Sequence, residues 1–122
     1  MKKTILATTL LLASISQADI ITCYFTEPFT TSVYSMSKST LSYKENVMGG
    51  TSVIKNVSFQ IKSAGVFELV SKEGKVIQTL NLNNKGSDGM SDTTYPFDVK
   101  DNDSMTNQGY GGCQSNSLKA TK

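Results

Sequence analysis

Past residue 18 the chain breaks into short apolar, β-branched and aromatic runs, punctuated by turn residues about every ten positions. Within the runs apolar and polar residues alternate with a period of two, and no helical stripe appears. "IITCYF", "FTTSVYSM" and "STLSY" read as three successive strands. In the second, Phe29, Thr31 and Val33 share one face, and Thr30, Ser32, Tyr34 and Met36 the other. "MGG", Met48 to Gly50, breaks the pattern. "TSVIKNVSFQI" is the longest strand candidate, with Val57, Phe59 and Ile61 in phase. Ile54 and Lys55 fall out of phase there, so a bulge or bend is expected between them. "VFELVS" and "KVIQTLNL" flank "KEG" and predict a hairpin turning at Gly74.

The run "GSDGMSDTTYPFDV" passes from a polar loop straight into an alternating strand. Asp88-Gly89 is a turn signal, because Gly accepts positive φ and an Asp carboxylate can bond nearby amides. Asp92 can act in the same way. Tyr95, Phe97 and Val99 then point to the core, with Asp98 and Lys100 outward. Pro96 lacks an amide donor, which places this strand's start at an edge or a bulge. "DVKDNDSMTNQGYGG" reads as a long loop, "GGC" leads into a last strand, and "QSNSLKATK" reads as a frayed polar tail. The expected fold class is all-β: a small antiparallel meander closed, or nearly closed, into a barrel, with a two-sheet sandwich as the alternative.

Residues 1–18 fall outside this pattern. Lys2 and Lys3 precede the short apolar run "TILATTLLLASI", and Ser16 and Ala18 suit cleavage before Asp19. The expectation is a signal peptide over 1–18 and a single β domain over 19–122, periplasmic or secreted, with no transmembrane anchor after cleavage. Cys23 lies too far past the apolar run for a lipid anchor. Of the 12 basic residues all are Lys, and without Lys2 and Lys3 the remaining ten balance ten acidic residues. A near-neutral domain without a basic cluster gives no footprint for nucleic acid.

Candidate chemistry is sparse. The chain has no His, which excludes Ser–His–Asp and Cys–His nucleophilic systems. Ser52 and Lys55 fit S-x-x-K, but its partner motifs are missing and the two residues face opposite sides of a strand. Asp98 to Asp103 suggests a calcium loop. Counting from Asp101, however, the positions that need Gly and Glu hold Thr106 and Gly112. No metal or other cofactor is expected. Cys23 and Cys113 in an exported chain favour an internal disulfide, with a free thiol or an intermolecular bridge as the other readings.

Two segments stand out together: "CYFTEPF", and "SDGMSDTTYPFDV" followed by "GGC". The pairing resembles a family of small uncharacterised exported bacterial proteins and lipoproteins carrying C-x-G-x-E-P-F-W, then C-x-D-G-M-S-D-x-x-Y-P, then G-C. Cys23, Glu27, Pro28 and Phe29 match the first block. Asp88, Gly89, Met90, Ser91, Asp92, Tyr95 and Pro96 match the second, and Gly112 and Cys113 the third. Phe25, Thr30 and Gly86 depart from it, standing where the family has Gly, Trp and often Cys. The resemblance implies export and a compact β domain, and no reaction.

The expected function is that of an exported envelope protein acting as a non-enzymatic binding or structural module toward an envelope protein or component. The alternative is a small carboxylate-dependent hydrolase in which Glu27, Asp88 and Asp92 converge. The motif loop is expected to dock near the Cys23–Phe29 segment, with Phe29 against Met90, and to act as a structural staple or as a recognition site.

Overall fold

The computed structural model describes residues 19–25, 30–45, 49–102 and 109–121. They form nine strands: β1 (Ile20–Phe25), β2 (Thr30–Ser35), β3 (Thr40–Glu45), β4 (Thr51–Ile54), β5 (Ser58–Ser63), β6 (Val66–Val70), β7 (Val76–Gly86), β8 (Tyr95–Asp101) and β9 (Tyr110–Ser115). No helix occurs among the described residues. All nine strands belong to one antiparallel sheet, in the order β4-β3-β2-β1-β9-β8-β7-β6-β5.

That order makes β4 and β5 the two edges, yet they are consecutive in sequence and only Lys55, Asn56 and Val57 separate them. A flat nine-stranded sheet would hold its edges about 38 Å apart. Three linking residues reach about 15 Å. The sheet therefore curls until its edges face each other. Asn56 takes φ 61° at the turn between them, so the expected single long strand "TSVIKNVSFQI" is instead two strands at opposite edges of the sheet. The described ladders leave β4 and β5 unpaired with each other, so the sheet is rolled and its seam stays open. The Val57 amide donates to Ser39 O (2.8 Å) and the Tyr34 hydroxyl to Val57 O (2.8 Å), tying the seam to the neighbouring strands.

The inner face is the core. Alternation in β1 puts Ile21, Cys23 and Phe25 inside, and β8 adds Phe97 and Val99. Leu41, Phe67, Leu69, Ile77 and Leu80 also belong to it. Phe59 stacks on Phe67 at 5.1 Å between ring centroids, and Phe67 meets Phe97 edge-on at 6.1 Å. In β2 the alternation is as read, but the buried set is Thr30, Ser32 and Tyr34, while Thr31 and Val33 are half-buried. Polar residues can occupy this face because Gln78, fully buried on β7, reaches across the interior. Its amide nitrogen donates to Ser32 Oγ (3.1 Å) and to Tyr43 Oη (3.1 Å), and lies 3.5 Å from Asp101 Oδ2. Burying these groups is tolerable only because they pair.

Two loop readings are corrected. The segment from Asp98 continues β8 to Asp101, which pairs with Gln78 and is buried, so this part of "DVKDND" is strand. Gly111 and Gly112 lie within β9. The tail is also held rather than frayed. Leu118 packs on the core, Ser117 Oγ donates to Asp19 Oδ1 (3.0 Å), the Ala120 amide donates to Gln114 Oε1 (2.9 Å), and Thr121 bridges Thr94. The β6–β7 hairpin turns as expected, with Gly74 at φ 91°.

Candidate functional site

β1 and β9 pair in register Cys23↔Cys113, and these two residues form a buried disulfide that closes 90 residues of chain. One position away, Tyr24 faces Gly112. A Cβ on Gly112 would come within 2.6 Å of the Tyr95 ring and 2.8 Å of the Ser87 amide. The missing side chain thus leaves a seat in which Tyr95 and the start of the motif loop lie directly on the backbone of β9. Tyr95 also packs against Tyr24, 5.5 Å between ring centroids. Gly86 has the same character, since a Cβ there would collide with Phe97 O. The two ends of the loop therefore rest on β9, with the Tyr95 ring against Tyr24 of β1.

The loop holds its own shape through Asp88. One carboxylate oxygen accepts from the amides of Met90 (2.9 Å) and Ser91 (2.8 Å), the other from Ser91 Oγ (2.7 Å) and Tyr95 Oη (3.0 Å). Ser87 Oγ accepts from the Gly89 amide (3.0 Å), Ser91 Oγ from the Thr93 amide (3.3 Å), and Gly89 sits at φ 78°. Burial on its own would raise the pKa of Asp88. The Ser91 and Met90 amides and the Ser91 and Tyr95 hydroxyls outweigh it and bring the pKa to about 2. Burial, together with the bond to Asp88 and its charge, pushes Tyr95 up to about 12.

Around the loop lies an open pocket of about 210 Å³. Ser87, Asp88 and Gly89 form one side, Asp98 and Lys85 come from β8 and β7, and Tyr110 and Gly111 from β9. Asp98 is half-buried, and that burial raises its pKa. The pocket thus holds two carboxylates of opposite character: Asp88 saturated with donors, Asp98 partly desolvated. Tyr110 is 60 % exposed at its edge.

The residues singled out by sequence divide clearly. Asp88 and Gly89 line the pocket, Ser91 and Tyr95 support it from behind, and Pro96 is buried opposite a register shift between Leu82 and Gly86 in β7. The bulge reading of Pro96 is the one realised, since β8 is an interior strand. Met90 is 66 % exposed rather than packed, and Asp92 is exposed and outside the pocket. Glu27, Pro28 and Phe29 lie outside the described residues, as do residues 1–18. Sequence reading missed Lys85, Asp98 and Tyr110 as pocket residues. Alternation did place Asp98 outward, but nothing local signals that the loop folds over beside it. No group of three or more His, Cys, Asp or Glu among the described residues is placed to hold a metal ion. No known family model, curated protein or solved structure matches the chain.

Proposed function

We propose that the chain is an exported envelope protein, periplasmic or secreted, that serves as a non-enzymatic binding module and presents the Ser87–Ser91 loop and its pocket to a partner in the envelope. One observation carries this reading. Asp88 spends its hydrogen-bonding capacity on the loop itself, so the loop is preorganised while Met90 and Tyr110 stay exposed. A rigid loop flanked by exposed large side chains lowers the ordering cost of association, and aromatic residues in such positions are common binding anchors. The Cys23–Cys113 disulfide supports an oxidising compartment, and no described helix is long and apolar enough to cross a membrane. We read the rolled sheet as a nearly closed barrel whose open seam is spanned at one end by the short β4–β5 link, a scaffold for such a loop.

The test is capture from an envelope fraction with the immobilised protein and with a Met90→Ala, Tyr110→Ala double variant. A partner retained by the first and lost by the second supports the module, while equal capture or none contradicts it. The contrast between Asp88 and Asp98 favours a second reading, a carboxylate-dependent hydrolase. Its acid would be Asp98, which is not among the expected carboxylates Glu27, Asp88 and Asp92. Turnover of an envelope polymer that Asp98→Asn abolishes would establish it.

A further inference from the structure

Asp98 is the group in this pocket that its surroundings do not satisfy. It lies on the outward side of β8, paired in register with Asn81 on β7 and Gly112 on β9. Neither neighbour carries a positive charge. Burial raises the pKa of Asp98, and Lys85, although it lines the same pocket, forms no ion pair with it among the described residues. Lys100 follows on the same face of β8 but does not line the pocket. Asp88, by contrast, is fully engaged by the loop. Two carboxylates against one lysine give the pocket lining a net negative charge, and the exposed ring of Tyr110 stands beside it, with Lys100 opposite Tyr110 in register just outside the lining. A ring face next to a carboxylate suits an alkylammonium group, whose methylenes lie on the ring while the charge meets both the π-face and the anion.

We propose that this pocket receives a lysine side chain of a partner protein, its ammonium bound by Asp98 and its methylenes by Tyr110. This names the partner chemistry of the binding module proposed above and rests on that reading.

The probe is Nα-acetyl-lysine methylamide, with the norleucine analogue as its uncharged control. Each is titrated into isotope-labelled, disulfide-bonded protein and followed by amide chemical shifts. The lysine probe is expected to shift Gly89, Tyr110 and Gly111, and the norleucine analogue to leave them in place. Asp98→Asn should weaken binding about fivefold, as loss of one contact charge in a solvated site implies. Lys85→Gln should tighten it by removing a like charge, and Tyr110→Ala should weaken it. Binding should fade on acidification before the loop titrates, because burial raises Asp98 above the usual carboxylate value whereas Asp88 stays ionised until about 2.

Equal response to the two probes would overturn the proposal. So would tighter binding by Asp98→Asn, weaker binding by Lys85→Gln, or unmoved pocket amides. If envelope capture still depends on Met90 and Tyr110 in that case, the binding module stands and the lysine assignment alone falls.

Discussion

The interior and the outer layer of this molecule are each organised by one polar side chain that gathers several partners. Gln78 does so inside the rolled sheet, where it is fully buried and bonded to Ser32 and Tyr43 across the lumen. Asp88 does so outside, where the amides of Met90 and Ser91 that it satisfies are themselves exposed. The bond lengths are alike, but the energetics are not. A buried amide whose partners vanish has no water to turn to, and each orphaned group costs about 1–3 kcal/mol. An exposed amide released by Asp88 is solvated at once. The lumen network therefore stabilises the fold, while the loop network mainly fixes local shape. The loop's hydrogen bonds thus fix its local shape and should add less stability than their number implies.

Breaking the interior at its covalent tie should have the largest effect. Reducing Cys23–Cys113, or replacing both residues by Ser, should cost about 4–5 kcal/mol in the chain-entropy view of a loop this long. The denaturation midpoint is the readout, and against a total of about 5–15 kcal/mol the loss is large. Gln78→Ala comes next, at about 2–4 kcal/mol, because it leaves a cavity and removes the donor to Ser32 and Tyr43. Gly112→Ala joins the two regions. The new methyl meets the Tyr95 ring, so a loss of about 1–3 kcal/mol is expected, with altered Tyr24 and Tyr95 ring resonances showing that the loop has lifted from β9. Asp88→Ala should be the mildest, at about 1 kcal/mol, the net worth of water-exposed bonds.

The loop has a pH signature at both extremes. Asp88 is depressed from 3.8 to about 2, so its contribution is complete above about pH 4 and is lost as the pH falls through about 2. Tyr95 is raised from 10.0 to about 12, so its contribution is complete below about pH 10 and is lost as the pH rises through about 12. Amide resonances of Met90 and Ser91 should report loop loosening at both extremes. Loosening at neither would mean that the Asp88–Tyr95 bond does not hold the loop.

Sequence reading succeeded where a residue's surroundings are local. The period of two bounded β1 and placed Phe97 and Val99 inside. Turn chemistry located Gly74 and the Asp88-Gly89 loop, whose partners lie within seven residues. It failed where partners are distant. Gln78 is buried because Ser32 lies 46 residues away across the lumen, and Asp101 is inward because Gln78 meets it. Both look like surface residues in a local window. The polar tail looked free because Asp19, which receives Ser117, lies 98 residues away. The candidate site shows the same division: Asp88 and Gly89 were legible, whereas Asp98, Lys85 and Tyr110 become neighbours only when three strands and the loop come together.

Native-state hydrogen exchange tests the contrast between the two regions most directly. The amides of Met90 and Ser91 should exchange through a small local opening that Asp88→Ala enlarges further, while the ladder amides of β8 and β9 keep the protection of global unfolding in both proteins. Equal protection of the loop and the ladders, lost together in Asp88→Ala, would contradict the account and make the loop part of the fold's cooperative core.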